Sequence, residues 1–219
     1  MVVFDVDGTI TAVPSCWRYI HEHLGTWSKA KIYAELFFRG EITYLEWALL
    51  DVGLWRGIPL EKIKHILNKI PYTEGAIETL RTLKDFGMRI VFISAGLTLL
   101  TDRVCKDIEV DYAIANELVA KNGILTGEVK INVDYDGKAK ILRRLLKEFN
   151  IKSRECVAVG DDETVIPLFK MCGQSIAYDP KTKKVEENAK IIVRAKDLRK
   201  IIPHIIEEKH IKSENTSNV

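Results

Sequence analysis

Apolar residues follow two patterns along this chain, and the alternation between them predicts the fold. Short unbroken runs occur at Val2-Val3-Phe4, Arg89–Ile93, Cys156–Val159, Ser175–Ala177 and Ile191–Val193. Runs of this length, rich in β-branched residues, read as strands buried on both faces. At Gly75–Phe86, Leu97–Asp107, Lys138–Phe149 and Thr164–Met171, apolar residues instead recur every three or four positions, the period of a helix with one buried face. Strands alternating with helices predict an α/β fold with a Rossmann-like parallel sheet. Asn122-Gly123, between Leu118-Val119 and Ile124-Leu125, is a two-residue turn signal that adds one hairpin.

The alternation breaks after the first strand. Trp17–Leu24, Lys29–Phe38, Tyr44–Val52 and Leu60–Leu67 all have the helical period, with no strand between them. The chain therefore divides into a core of residues 1–13 and 72–210, a helical insertion at 14–71, and a polar, frayed tail at 211–219. All four tryptophans (Trp17, Trp27, Trp47, Trp55) lie in the insertion. They serve either as the core of a small helical unit or as the wall of an aromatic pocket facing the sheet.

Composition narrows the class. In 219 residues, 33 basic against 31 acidic side chains leave +2, so charge implies no polyanionic partner, and 47% hydrophobic residues suffice for a globular core. No apolar run is long enough for a membrane helix, and the start lacks a charged leader, so a cytoplasmic location without membrane contact is expected. Cys16, Cys105, Cys156 and Cys172 form no CxxC pair and read as buried free thiols. His21 and His23, two apart on a helix, diverge and are expected on the surface. Lys181–Lys200 is basic but interrupted by acids, which reads as a solvated helix face and not a nucleic-acid surface. The absence of GxGxxG after the first strand argues against a dinucleotide site.

The residues with chemical potential stand at the predicted strand ends, where open α/β sheets bind ligands. Asp5-Val6-Asp7-Gly8-Thr9 ends the first strand with two carboxylates. Such a pair can hold a hard cation such as Mg²⁺, and one carboxylate can attack phosphorus while its neighbour acts as acid and then base. Taken alone, the segment is also an ordinary Asp-Gly turn. Ser94 at the end of Arg89–Ile93 can grip a phosphate oxygen or simply cap a helix. Lys138 opens a helix, as a surface lysine or as a cation that neutralises a phosphate. Asp161-Asp162-Glu163 follows the Cys156–Val159 strand, as caps or as a third acidic contribution to the same edge.

Taken together, Asp-x-Asp-Gly-Thr, then Ser, Lys and Gly-Asp-Asp, in that order and each at or beside a strand end, resemble the haloacid dehalogenase superfamily. The helical insertion resembles the cap of the branch that contains phosphoserine phosphatase. The resemblance implies a Mg²⁺-dependent hydrolase of a small-molecule phosphomonoester. It makes Asp5 the nucleophile and Asp7 the acid/base, with Ser94, Ala95, Lys138 and Thr9 around the phosphate. Asp5, Asp7 (through its carbonyl) and Asp161 would hold the metal. This chain departs from the family pattern in three places. Val165 replaces a second acid, leaving Asp162 and Glu163 as candidate metal support. Pro14 and Asp51 fall, without gaps, where the family carries the glutamate and arginine that bind serine's amino and carboxyl groups. Another phosphomonoester is therefore expected, with Trp17, Arg18 and Arg56 as candidate substrate contacts. The competing reading is a catalytically impaired phosphate-binding or regulatory protein on the same fold.

Overall fold

The computed structural model describes residues 1–206; the predicted tail at 211–219 and the last residues assigned to the core lie outside the described residues. The chain begins with strand β1 (Val2–Phe4) and then forms four helices, α1 (Cys16–Leu24), α2 (Trp27–Phe38), α3 (Tyr44–Gly53) and α4 (Leu60–Leu67). Local sequence sets their ends. Ser15 Oγ accepts from Arg18 N to cap α1, and Gly25, at φ 70°, ends it in the left-handed region that favours glycine. Thr43 and Glu46 form a reciprocal capping box on α3.

The chain returns as α5 (Ala76–Asp85), β2 (Ile90–Leu97), α6 (Thr98–Asp107), β3 (Tyr112–Lys121), β4 (Ile124–Lys130), α7 (Lys138–Glu148), β5 (Val157–Gly160), α8 (Ile166–Phe169), β6 (Gln174–Tyr178), α9 (Lys183–Asn188) and β7 (Ile191–Val193). The strands form one sheet in the order β4-β3-β2-β1-β5-β6-β7, parallel except for the antiparallel β3–β4 hairpin. The hairpin turn falls at Asn122-Gly123, as its dipeptide predicts, with both residues at positive φ. Lys181–Lys200 is not one helix face but is divided among α9, β7 and part of a short 3-10 turn.

Strand alternation separates two apolar layers. Val2, Phe4, Ile90 and Phe92 face one layer, and Val3, Val91, Ile93 and Ala158 face the other with α7 and α8. The first layer continues without a break into the inserted helices through Ile20, Trp55 and Ile63, all fully buried. The entry and exit of the four-helix segment lie side by side, because Ala12 N donates to Pro71 O at 2.9 Å and Thr73 N to Ile10 O at 2.9 Å. The hairpin braces the same segment: Gly57 N bonds Leu125 O and Leu60 N bonds Gly123 O, at 2.9 and 2.8 Å. β1 is central, with β2 on one side and β5 on the other. Side chains just beyond β1, β2 and β5 are therefore gathered at the point where the strand order reverses, the binding crevice of such sheets.

Candidate active site

The turn after β1 is held by the N–H groups of Ile10 and Thr11 on Val6 O, at 2.9 and 3.0 Å. This leaves Asp5 and Asp7 in unlike surroundings. Asp5 is 4% exposed; its Oδ1 accepts from Val6 N at 2.8 Å, and its Oδ2 meets Lys138 Nζ at 2.5 Å and Thr164 Oγ1 at 3.3 Å. Lys138, at the start of α7, is completely buried. A buried ammonium requires a counter-charge, and Asp5 supplies it. Burial raises the Asp5 carboxyl above the ordinary range and Lys138 opposes the rise.

Asp7 has no basic side chain bonded to it. Its Oδ2 accepts from Cys16 N at 2.9 Å, and its Oδ1 is buried without a hydrogen bond. Burial lifts its carboxyl to about 6, with the Cys16 N–H pulling the other way. Two neighbouring carboxylates with environments this different can divide acid and nucleophile roles.

Ser94 is 1% exposed at an irregularity in β2, where the register shifts between Ile93 and Leu97. It does not cap α6, whose N-cap is Leu97; its hydroxyl instead accepts from Gly96 N at 2.9 Å. The neighbouring Ala95 carbonyl accepts from Trp17 Nε1 at 3.2 Å, Tyr44 Oη at 3.2 Å and Asn116 Nδ2 at 3.0 Å. Asn116 also donates to Val133 O at 3.0 Å and accepts from the N–H groups of Asn132 and Val133, both at 2.9 Å. One fully buried side chain thus ties the Ser94 loop to the segment that leads into Lys138.

Asp161, beyond β5, is fully buried; its Oδ1 accepts from Thr9 Oγ1 at 3.0 Å and its Oδ2 has no hydrogen bond. Burial first, then Asp162 and Asp5, push this carboxyl well up. Gly8, at φ 72°, lies directly against it, and a Cβ there would fall on the Asp161 carboxylate. An unpartnered buried oxygen, mutually repelling carboxylates and a side-chain-free approach fit a hard divalent cation. Among the described residues no three His, Cys, Asp or Glu side chains converge as a metal cluster. The donors for such a cation here are therefore Asp5, Asp161 and main-chain oxygen, completed by water.

The structure redirects several expected side chains. Thr9, expected at the phosphate, is fully buried and bonded to Asp161. Glu163 turns away from the site to Lys184 at 2.7 Å and Thr182 at 3.2 Å, whereas Asp162 stays close, accepting from Thr164 Oγ1 at 2.6 Å. Arg18 is exposed, paired with Glu22 at 2.7 Å and placed over the Trp27 ring, and Arg56 lies against Gly127 of β4. Trp17 lies beside Ser94, with its Nε1 on Ala95 O at 3.2 Å. His21 is fully buried, not on the surface, because Thr26, Trp55 and Asp51 surround its ring. Val165 packs in the apolar layer against Gly160, and Thr164 is the neighbour that reaches Asp5. Cys16, Cys156 and Cys172 are buried free thiols as expected; Cys105 is half-buried.

The sequence alone does not single out Asn116, Tyr44 or Thr164. A polar Asn inside the apolar start of β3 was the available signal for the first, whereas nothing local marks Tyr44.

The haloacid dehalogenase-like hydrolase profile matches residues 2–170. A phosphoserine phosphatase of Methanocaldococcus jannaschii is 31% identical over 94% of this chain and 97% of its own length. Another, from Archaeoglobus fulgidus, is 33% identical over 83% of this chain, which spans about half (53%) of that relative. A solved structure described as a phospho-aspartyl intermediate analogue of phosphoserine phosphatase superposes with a TM-score of 0.83 at 31% identity, covering 93% of this chain and 97% of that one. The chain belongs to the haloacid dehalogenase-like hydrolase family. Within that family it is a phosphatase of the phosphoserine phosphatase-like type.

Proposed function

We propose that this protein is a Mg²⁺-dependent hydrolase of small phosphomonoesters that works through phosphorylation of Asp5. The observation that carries the reading is the contrast between Asp5, paired with Lys138 at 2.5 Å, and Asp7, which accepts from the Cys16 N–H and is bonded to no basic side chain. Lys138 favours the ionised, nucleophilic form of Asp5, whereas burial favours the protonated form of Asp7 that can give a proton.

The steps follow from this chain's own groups. Ser94 Oγ and Lys138 Nζ hold phosphoryl oxygens, and Asp5 attacks phosphorus as the ester bond breaks. Asp7 delivers its proton to the departing alkoxide and, now a carboxylate, takes one from the water that cleaves the aspartyl-phosphate. Thr9 fixes Asp161, and Asn116 fixes the loops carrying Ser94 and Lys138. Asp5, Asp161 and the Asp7 carbonyl would hold Mg²⁺, which when bound offsets the charge on the phosphoryl group.

Residues 14–71 act in this reading as a cap over the core formed by 1–13 and 72–210, excluding water through the bonds of Trp17 and Tyr44 to Ala95 O. The regulatory alternative rested on Val165. Because that side chain belongs to the apolar layer, with Thr164 and Asp162 facing Asp5 and Asp161, its identity gives no reason to expect inactivity. The test is phosphate release from p-nitrophenyl phosphate and a phosphomonoester panel including phosphoserine, with Mg²⁺ or chelator, by wild type and Asp5→Asn. Metal-dependent turnover abolished by the substitution is expected. Folded protein that binds phosphate but turns over nothing would refute the reading.

A further inference from the structure

The inference that follows rests on the hydrolase reading and concerns the alcohol half of the substrate. Asp7, the proton donor to the leaving alcohol, is held by Cys16 N, and the residues on either side of Cys16 open onto a cavity. This cavity, about 60 Å³, is lined by Ser15, Trp17, Tyr44, Trp47, Ala48 and Asp51. Trp17 and Tyr44 also bond Ala95 O, beside Ser94, so the cavity borders the loop that carries Ser94 as well as the Asp7 contact at Cys16.

Its walls combine three aromatic rings with one carboxylate. Trp47 is stacked on Phe37 (ring centroids 4.8 Å apart) and Trp17 is backed by Trp55 (5.5 Å), so both are held by a second ring. Asp51 is 4% exposed and its Oδ1 accepts no hydrogen bond. The His21 ring nitrogen nearest to it, Nε2, stands 3.4 Å away but is misaligned for a bond. On its other side the His21 ring is engaged through Nδ1, which accepts from Trp55 Nε1 at 3.2 Å and lies 2.7 Å from Thr26 Oγ1. Arg18 and Arg56 point elsewhere, and no basic side chain lines the cavity. Burial raises the Asp51 carboxyl, with His21 and then the Trp47 indole opposing the rise, so its anionic form is disfavoured unless a cation joins it. Aromatic walls around such an anion attract an organic cation. Since one water needs roughly 10–15 Å³, a cavity of about 60 Å³ has room for a small head group.

We propose that this cavity is the subsite for a cationic alcohol: the substrate is a phosphomonoester whose alcohol carries an alkylammonium group and no carboxylate, seated among Trp17, Tyr44 and Trp47 against Asp51.

The test compares kcat/KM for phosphocholine with its neutral isostere 3,3-dimethylbutyl phosphate, and for phosphoethanolamine with propyl phosphate, in wild type and Asp51→Asn. p-Nitrophenyl phosphate serves as the check on hydrolysis itself. In wild type, the better cation should exceed its isostere by on the order of thirtyfold, and phosphoserine, with its extra carboxylate, should be poorer than the cation. Asp51→Asn should bring the cation-to-isostere ratio close to one. A wild-type ratio near one, a ratio kept in Asp51→Asn, or phosphoserine as the better substrate overturns the proposal. Should Asp51→Asn fail to fold, the wild-type ratios decide.

Calorimetry of choline and ethanolamine against 3,3-dimethylbutanol and propanol separates this proposal from the reading beneath it. Selective binding of an aminoalcohol without turnover of any ester would uphold the cavity and refute the hydrolase. Turnover of p-nitrophenyl phosphate with no cation preference would do the reverse, and neither turnover nor binding would refute both.

Discussion

Asn116→Ala is the perturbation that most directly tests how the Ser94 loop and the segment leading to Lys138 are held. The wild-type side chain donates to Val133 O and accepts from Val133 N and Asn132 N, while Ala95 O keeps Trp17 and Tyr44 as donors without it. Truncation therefore orphans both main-chain groups of a fully buried residue and one half-buried N–H. At about 1–3 kcal/mol for each buried polar group left unsatisfied, the loss should be about 3–5 kcal/mol, or a fall in Tm of roughly 6–20 °C for a chain of this size. The damage falls on the segment leading to Lys138, so kcat should drop even where the protein remains folded. Asn116→Asp should not rescue, since an oxygen would then face the carbonyls of Ala95 and Val133. Urea unfolding followed by tryptophan fluorescence, paired with phosphate release at low temperature, reads both effects. A stability loss below about 1 kcal/mol with kcat unchanged would show that the network does not position this site.

Asp7→Asn should abolish turnover of alkyl phosphates, by at least about 10²-fold, and stabilise the metal-free protein. Burial raises Asp7 from 3.8 to about 6, so the unfolded chain loses this proton first as pH rises; stability falls through that window, by on the order of 2–3 kcal/mol at pH 7, and denaturation in chelator showing no gain for the variant would contradict the assignment. Gly8→Ala should cost about 1–2 kcal/mol for the left-handed backbone alone, plus the displacement of Asp161, and should weaken Mg²⁺ dependence; wild-type metal titration and stability would refute the close approach. Val165→Asp, which the family pattern would suggest as a gain of metal affinity, should instead destabilise the protein by at least about 2 kcal/mol by placing a carboxylate in the apolar layer. Tighter Mg²⁺ binding with unchanged stability would overturn that expectation.

Hydrophobic period is a local property, and it made most of the fold legible. The runs at Val2–Phe4 and Ile191–Val193 and the helix at Leu60–Leu67 have the same limits in sequence and structure. β2 extends beyond its apolar run to Leu97 because the irregular Ser94-Ala95-Gly96 stretch still pairs at its far end with β3. The parallel start of β3 is similarly obscured, since its short apolar run Tyr112–Ala115 is weak in β-branched residues and ends at the polar Asn116. The candidate site could be anticipated because its residues lie just beyond strand ends, and strand ends follow from the period.

Side-chain destinations depend on partners distant in the chain. Thr9 meets Asp161 across 152 positions and Lys138 meets Asp5 across 133, so no window of local sequence contains either pair. The same separation explains why Glu163 leaves for Lys184, why His21 is buried beneath Trp55, and why Asn116 joins two loops. Local sequence by itself determined the elements and the edge of the sheet where chemistry is concentrated. Only tertiary packing decided which polar atoms are paired, which are left buried without partners, and so which can act, because burial and hydrogen bonding between remote segments set the charge state of each group.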